Sequence, residues 1–539
     1  MTGGDAIVQS LLRQGVDTVF GIPGVQTYAL FDALARAPEI RVIVPRHEQA
    51  CAYMAFGYAR STGKVGVFTV VPGPGVLNAT AALCTAYGAS TPVVCITAEI
   101  PSAAIGSGRG HLHELPDQLA TLRTLTKWAA LIERPADAPA LVAEAFRQAT
   151  SGRPRPVALE MPWDVLDSDE EVGFDGLPAA ADAPPDPGAG DIQQAVEVLA
   201  AAENPMIMVG GGAVGAAPEI RELAELLQAP VVPFRSGRGI VPDDSPYGFT
   251  CASGYRRWRR TDVLLGIGSR LELLWFRWAA SGHRPTLVNV DVDAEQVGRL
   301  EPDVAIVADA ARSTHVLLAG LHAHGRRRAS RRDELAAAKA EAAQAIRKVQ
   351  PHVEYLDAIR RVLPRDGFLV EEICQAGFAS YFAFPVYEPR TFVSGGHQGT
   401  LGFGFPTALG VKAGNPGRVV VSIAGDGGFQ FGLAELATAA QYHLGLVTVL
   451  FDNGAYGNVL RDQELRYGRV LGAELRNPDF VALAASYGVA ARRAGTPGEL
   501  AHALASALST DTPALIVVPV DRRSEISPWE FLMPTAEDP

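Results

Sequence analysis

Short, almost uninterrupted apolar runs alternate with longer stretches in which alanine and leucine recur at helical spacing, nearly from end to end of the chain. The runs fall at 41–44 (RVIV), 65–71 (VGVFTVV), 92–97 (PVVCIT), 156–161 (PVALEM), 205–209 (PMIMV), 262–268 (DVLLGIG), 286–292 (TLVNVDV), 418–424 (RVVVSIA), 446–451 (LVTVLF) and 513–520 (PALIVVPV). A strand that is apolar at every position, rather than every second one, is buried on both faces. Where helices separate such strands, the sheet is parallel. The pattern therefore predicts an α/β protein of doubly wound parallel sheets.

Two stretches break the alternation. Residues 176–190 (GLPAAADAPPDPGAG) are rich in proline, glycine and alanine and have no period. Residues 326–350 open as a basic run and continue as a charged, alanine-rich helix, polar on most faces, of the kind that bridges domains. Cutting at both leaves three α/β domains: 1–175, 190–325 and 350–525. The length of 539 residues is too great for one core and agrees with that division. The first and last blocks are alike in length and alternation.

Charge narrows the choice of partner. A net charge of −12 disfavours nucleic acid or an anionic membrane, which both call for a basic footprint. Five scattered cysteines, Cys51, Cys84, Cys95, Cys251 and Cys374, contain no CxxC pair and suggest neither disulfides nor a thiolate zinc site. No run approaches the ~20 apolar residues of a membrane span, and the first residues lack the apolar core of a signal peptide. The chain reads as cytoplasmic.

The chemistry concentrates at IAGDGGF, residues 423–429. A buried strand ends there in one carboxylate, Asp426, flanked by Gly425, Gly427 and Gly428. Ligands of open α/β sheets bind at the carboxyl ends of strands. Asn453 ends the next apolar run, so adjacent parallel strands would bring Asp426 and Asn453 together. Two oxygen-donating side chains at that point suit Mg2+ shared with phosphate oxygens, and they equally suit a tight turn followed by an Asx turn. Elsewhere, Glu48 opens a helical stretch, where the helix dipole favours it. GGGAVG (Gly210, Gly212, Gly215) follows a strand and fits a dinucleotide fingerprint, but the acidic residue expected about 20 positions on is missing. His111, His113 and Glu114 in SGRGHLHELPDQ fit no zinc pattern well.

GDG followed at this interval by an NN-like pair, here Asp452–Asn453, resembles the thiamine-diphosphate motif. RHEQACAYMAFGYARSTGKVGV (46–67), PGPGVLN (72–78) and SGGHQGTLGFGFPTALG (394–410) resemble, in order, further motifs of that family's acetolactate-synthase-like branch. The resemblance covers nearly the whole chain. It implies pyrimidine-binding, middle and diphosphate-binding domains, with Asp426, Asn453 and the main-chain carbonyl of Ala455 as Mg2+ ligands. Glu48 falls on the glutamate that, in the family, meets the pyrimidine ring nitrogen and lets the exocyclic imine deprotonate the thiazolium carbon. Leu401 takes the place of the methionine wedged beneath the cofactor. Pro72, Gly73, Asn78, Gln375, His397, Gln398, Tyr456 and Gly457 are expected beside the cofactor. His111 and His113 are candidates for proton transfer or substrate carboxylate binding. The resemblance also departs from the family. The first asparagine of the pair is Asp452, the SGG motif carries an extra residue around His397–Gln398, and the RFDDR-like segment of flavin-binding members is absent, so no flavin is expected.

The implied reaction is thiamine-diphosphate- and Mg2+-dependent decarboxylation of a 2-oxo acid, followed by protonation or by carboligation as in acetolactate synthases. The same motifs would serve a C–C hydrolase or lyase acting on a 1,2-dione or 2-hydroxy ketone. A catalytically silent thiamine-fold subunit would be expected to lose Glu48 or Asp426, and both are present. The family's assembly implies a homodimer or homotetramer with the active site between subunits. Where acetolactate synthases carry a methionine and a tryptophan, this chain has Asn458 and Asp462, one helical turn apart. An aliphatic substrate would leave those groups desolvated and unpaired at about 1–3 kcal/mol each, so a polar 2-oxo acid, one with a cationic or hydroxylated tail, is expected. The alternative is that Asp462 pairs with Arg461 or Arg466 at the surface.

Overall fold

A computed structural model describes residues 1–177 and 184–535. The centre of the 176–190 linker, residues 178–183, lies outside the described residues. Three parallel sheets follow one another along the chain. Across the first, the strands run Arg41–Ile43, Thr18–Gly21, Gly66–Val70, Val93–Glu99, Val157–Pro162 and Trp128–Leu131. Across the second they run Val304–Val307, Thr286–Asp291, Val263–Ile267, Met206–Val209 and Val231–Pro233. The third is Phe392–Val393, Phe368–Val370, Val420–Gly425, Val447–Asp452, Ala514–Pro519 and Ala490–Arg493. Counted in chain order within each unit, both terminal sheets have the order 2-1-3-4-6-5, and the middle sheet has 5-4-3-1-2. These are the doubly wound α/β units that the buried apolar runs predict.

Local signals set the helix ends. Asp117, Asp293, Asp309 and Thr496 each accept a main-chain N–H of the first turn they precede. Pro74 occupies the first turn of Pro74–Gly88, where its missing N–H costs nothing. The basic-to-alanine stretch forms the helix Arg332–Ile346, which buries Leu335, Ala338 and Ala342.

The terminal sheets share a core. Phe68 and Cys95 of the first sheet, Phe56 and Leu409 of two intervening helices, and Val420 and Leu450 of the third sheet belong to one apolar cluster. The intervening helices are Glu48–Thr62 and Gly404–Gly414. They touch backbone to backbone: a Cβ on Gly57 would lie 2.1 Å from the Thr407 carbonyl oxygen, and one on Gly410 would lie 2.0 Å from that of Met54. Among the described residues no helix is long and apolar enough to cross a membrane.

Candidate active site

The third sheet builds a cavity where its winding reverses. Strands Val420–Gly425 and Val447–Asp452 pair in parallel with Gly425 opposite Phe451, so the residues that follow each strand emerge side by side. Asp426 opens the short helix Asp426–Phe429, and Asn453 and Ala455 follow the neighbouring strand. All three line one cavity of about 320 Å³, together with Gln375, Leu401, Gly425, Gly427, Gly428, Tyr456 and Gly457. Most residues expected beside the cofactor are thus gathered here.

The polar groups of this cavity are oriented, not loose. Asp426 is 2% exposed. Its Oδ2 accepts from Asn477 Nδ2 at 2.6 Å, and the same amide donates to Asp452 Oδ1 at 2.7 Å. Burial pushes the Asp426 carboxyl up to about 6; the Asn477 amide opposes the shift and the Asp452 charge adds to it. Asn453 Oδ1 accepts the Ala455 N–H at 3.1 Å, while Asn453 Nδ2 donates to Glu525 Oε2 at 2.8 Å. Beneath the glycines, Glu372 is fully buried and takes the N–H groups of Gly404 and Ile373 at 2.8 and 3.0 Å. Burial raises that carboxyl to about 7.

The donor set fits the implied cofactor. A carboxylate, an amide oxygen and a main-chain carbonyl are hard oxygen ligands that suit Mg2+ and leave positions for phosphate oxygens. Among the described residues no cluster of three His, Cys, Asp or Glu side chains could hold a metal. Gln375 Oε1 is buried without a partner, an acceptor still to be satisfied at the cavity wall.

The corresponding end of the first sheet carries the other candidates. Glu48 is the first residue of its helix, half-buried, and its Oε2 accepts from Asn78 Nδ2 at 3.0 Å. Pro72 and Gly73 follow strand Gly66–Val70. Gly73 has φ +61°, and a Cβ there would lie 2.4 Å from the His113 carbonyl oxygen, so two constraints select glycine. The Gly73 N–H donates to Gln118 Oε1 at 2.8 Å, and Gln118 Nε2 donates to the Ala98 carbonyl and to Glu160 Oε2. The histidine loop divides. His113 sits beside Gly73 with its Nδ1 2.9 Å from Gln26 Oε1. His111 is exposed, and its main-chain N–H donates to Glu114 Oε2 at 2.8 Å.

The structure does not bring all candidates together. None of Glu48, Pro72, Gly73, Asn78, His111 or His113 lines the Asp426 cavity of the same chain. His397 and Gln398 do not line it either. His397 Nδ1 lies 3.3 Å from Glu272 Oε2, and Gln398 packs against Gly88. Burial holds the His397 imidazole down at about 4 despite the nearby Glu272. Burial alone would raise the Glu272 carboxyl, but Arg235 and Arg277 outweigh it and hold it at about 2. His397 lines a second cavity of about 500 Å³, shared with Gly210, Gly212, Gly215, Arg60, Arg153 and Arg270. Asn458 lines the Asp426 cavity, whereas Asp462 is exposed, with Oδ1 3.5 Å from Arg461.

Sequence reasoning missed Asn477, Glu525, His352 and Trp529. Each reaches the site from a coil or from a helix end far from the glycine motif. The only signal is indirect: a second carboxylate at Asp452 calls for a donor, and Asn477 supplies it.

Three domain models of the thiamine pyrophosphate enzymes match the chain: the N-terminal TPP-binding domain over residues 1–121, the central domain over 192–317 and the C-terminal TPP-binding domain over 373–518. The chain belongs to the thiamine pyrophosphate enzymes, in their acetolactate-synthase-like branch. A Pseudomonas aeruginosa protein named "Probable 2-ketoarginine decarboxylase" is 36% identical over 528 residues, covering 96% of this chain and 93% of its own. A Methanocaldococcus jannaschii protein named "Probable acetolactate synthase large subunit" is 33% identical, with 97% and 92% coverage. The Escherichia coli acetolactate synthase isozyme 3 large subunit is 30% identical, with 98% and 97% coverage.

Proposed function

We propose that the chain is a thiamine-diphosphate- and Mg2+-dependent enzyme that decarboxylates a 2-oxo acid bearing a cationic, guanidino-type tail. The observation that carries this reading is the set of oxygen donors from Asp426, Asn453 and Ala455 on one cavity at the winding reversal of the third sheet. Those three would hold the metal, and the metal the diphosphate. Glu48, with one oxygen fixed by Asn78, would hold the pyrimidine ring nitrogen. Because Glu48 lies away from the Asp426 cavity of its own chain, the complete site needs a second copy, which makes the enzyme a homodimer or a homotetramer.

When bound, the cofactor supplies an electron sink beside the substrate carbonyl. The bond between carbonyl and carboxyl carbons breaks, carbon dioxide leaves without the bonding pair, and a proton takes its place to give an aldehyde. Carboligation would place a second carbonyl carbon there instead. The polar amide of Asn458 at the cavity wall favours a polar substrate over the small aliphatic acids that an apolar wall would suit.

The tail is assigned to Asp462. The relative named for 2-ketoarginine supports a guanidinium. The helix Gly457–Tyr467 buries none of its residues, and Asp462 stands one turn beyond Asn458. That turn rises roughly 5 Å, about the reach of a three-carbon guanidino tail. The 3.5 Å contact of Asp462 with Arg461 is too long to hold the carboxylate against a bidentate partner. Incubation with thiamine diphosphate, Mg2+ and pyruvate, 2-oxobutyrate or 5-guanidino-2-oxopentanoate tests the reading, with carbon dioxide and organic product measured together. The guanidino acid should have the highest kcat/KM and give aldehyde and carbon dioxide in equal amounts. Asp462→Asn should cut its kcat/KM about tenfold or more, the worth of one charged hydrogen bond, and leave pyruvate unchanged. Best turnover with pyruvate to an acyloin would overturn the decarboxylase reading. An unchanged substrate ratio in Asp462→Asn would overturn the tail assignment alone.

A further inference from the structure

We propose that Glu525, delivered by the segment after the last strand, is a positioning residue for the proposed metal ligand Asn453, and that Trp529 of the same segment positions Asn458. The inference rests on the thiamine-diphosphate reading above and adds to it a part of the site that none of the family motifs contains.

An asparagine presents oxygen to a cation only if something holds its amide the right way round, because its two faces differ little in shape. The Asn453 contacts are unambiguous. The Ala455 N–H can only donate, and it meets Oδ1; the Glu525 carboxylate accepts, and it meets Nδ2 at 2.8 Å. A flipped amide would set oxygen against carboxylate and NH2 against N–H. The Oδ1 keeps a second lone pair, and Asn453 lines the cavity. Glu525 is itself held: its Oε1 lies 3.0 Å from His352 Nε2, and the two side chains are 9% and 1% exposed. The imidazole stands edge-on to Phe451, the last apolar residue before Asp452–Asn453.

The main chain carries Glu525 to this point by bonds at both ends of the segment. The Val520 N–H donates to the Asp452 carbonyl and the Ile526 N–H to the Gln350 carbonyl, at 2.8 and 2.9 Å. Three residues beyond Ile526, the Trp529 indole N–H donates to Asn458 Oδ1 at 2.8 Å while its ring packs against Phe378, tilted at 50° with centroids 5.0 Å apart. Gln375 Nε2 approaches the same Oδ1 at 3.5 Å. With its oxygen engaged, Asn458 has its NH2 group left for the cavity. The segment thus fixes two amides in opposite senses, with an acceptor position left on the Asn453 oxygen and the NH2 group left at Asn458.

Outer partners of a metal ligand typically govern 10–100-fold in metal affinity. Titration calorimetry of thiamine diphosphate at fixed Mg2+, and of Mg2+ at fixed cofactor, tests the inference on the full chain, with circular dichroism as a check on folding. Glu525→Leu should weaken Mg2+-dependent binding by about tenfold or more. Glu525→Gln, whose amide oxygen still accepts from Asn453, should stay within a few-fold of wild type. Glu525→Asp, which keeps the charge but withdraws it by one methylene, should fall between them and decides the matter if the Leu variant does not fold. Trp529→Phe should leave cofactor affinity intact and raise KM for the 2-oxo acid. Wild-type affinity in both the Leu and Asp variants would overturn the role of Glu525. Failure of the unmodified chain to bind thiamine diphosphate with Mg2+ would instead overturn the reading on which it rests.

Discussion

The two terminal sheets have one strand order and all-parallel pairing, yet their carboxyl ends are furnished for different work. Past the third strand, the first sheet offers Pro72 and Gly73, a turn whose value lies in its main chain; the third sheet offers Asp426. Past the fourth strand, the first sheet ends in Glu99, which spends one oxygen on the Ile100 N–H at 2.7 Å; the third offers Asn453. Each end is braced by side chains from elsewhere in the chain: Gly73 by Gln118, itself held by Glu160 of strand Val157–Pro162, and Asp426 and Asn453 by Asn477 and Glu525. The winding fixes where a ligand can sit, and the residues at the strand ends decide what that place offers: main chain past the third strand of the first sheet, oxygen-donating side chains past the third and fourth strands of the third.

If the third sheet is the metal end, Asp426→Ala is the most damaging change. It should abolish Mg2+-dependent thiamine diphosphate binding, and wild-type affinity by calorimetry would break the comparison outright. If the first sheet meets only the ring, Glu48→Gln should leave cofactor affinity within a few-fold and lower turnover by about 10²-fold or more. A matching loss of affinity would erase the division of labour. Gly73→Ala tests whether the turn is a main-chain device. A side chain at positive φ costs about 1–2 kcal/mol, and this one also meets the His113 carbonyl, so the thermal midpoint should fall and kcat with it. An unchanged variant would show that the turn tolerates movement.

The smallest effect separates the two braces by pH. Burial holds the Glu160 carboxyl at about 7, above its ordinary value, with the Gln118 amide opposing the shift. Its contribution to stability is therefore full below the ordinary carboxyl range and is lost as pH rises through about 7. Glu160→Gln keeps an acceptor for Gln118 without a charge. It should unfold at a higher temperature than wild type at pH 8 and at the same temperature at pH 4, below the ordinary carboxyl value. Equal midpoints at both pH values would mean that Glu160 does not titrate there.

Much of this frame was legible in the amino-acid order. The ten apolar runs all lie on observed strands, and most of these are buried along nearly their whole length, which leaves little room for the polar positions that mark an exposed face. Among the described residues, seven strands lie outside those runs: Trp128–Leu131, Val231–Pro233, Val304–Val307 and Phe368–Val370 are apolar runs of only three or four residues, and the other three obey other rules. Thr18–Gly21 is four residues long and sits between turn formers. Ala490–Arg493 is a largely exposed edge strand with no apolar run to betray it. Phe392–Val393 has only two residues. Asp426 and Asn453 could be read because consecutive strands and one crossover place both ends of the pair. Asn477, Glu525 and Trp529 could not, because they arrive on coil or a short terminal helix, and nothing in their local pattern points to where the chain returns. The surface position of Asp462 was open in the sequence, since a pair on one helix face is equally compatible with a pocket and with solvent.

The contact of Gly57 and Gly410 with opposing carbonyls has a mechanical consequence. A helix pair that meets through side chains can slide, because side chains repack; one that meets through backbone has nothing to repack and nowhere to go. The first and third sheets of a chain therefore behave as the jaws of a fixed caliper. If the proposed second copy completes the site, its gaps can change only as whole chains move against each other, not by a jaw bending within one chain.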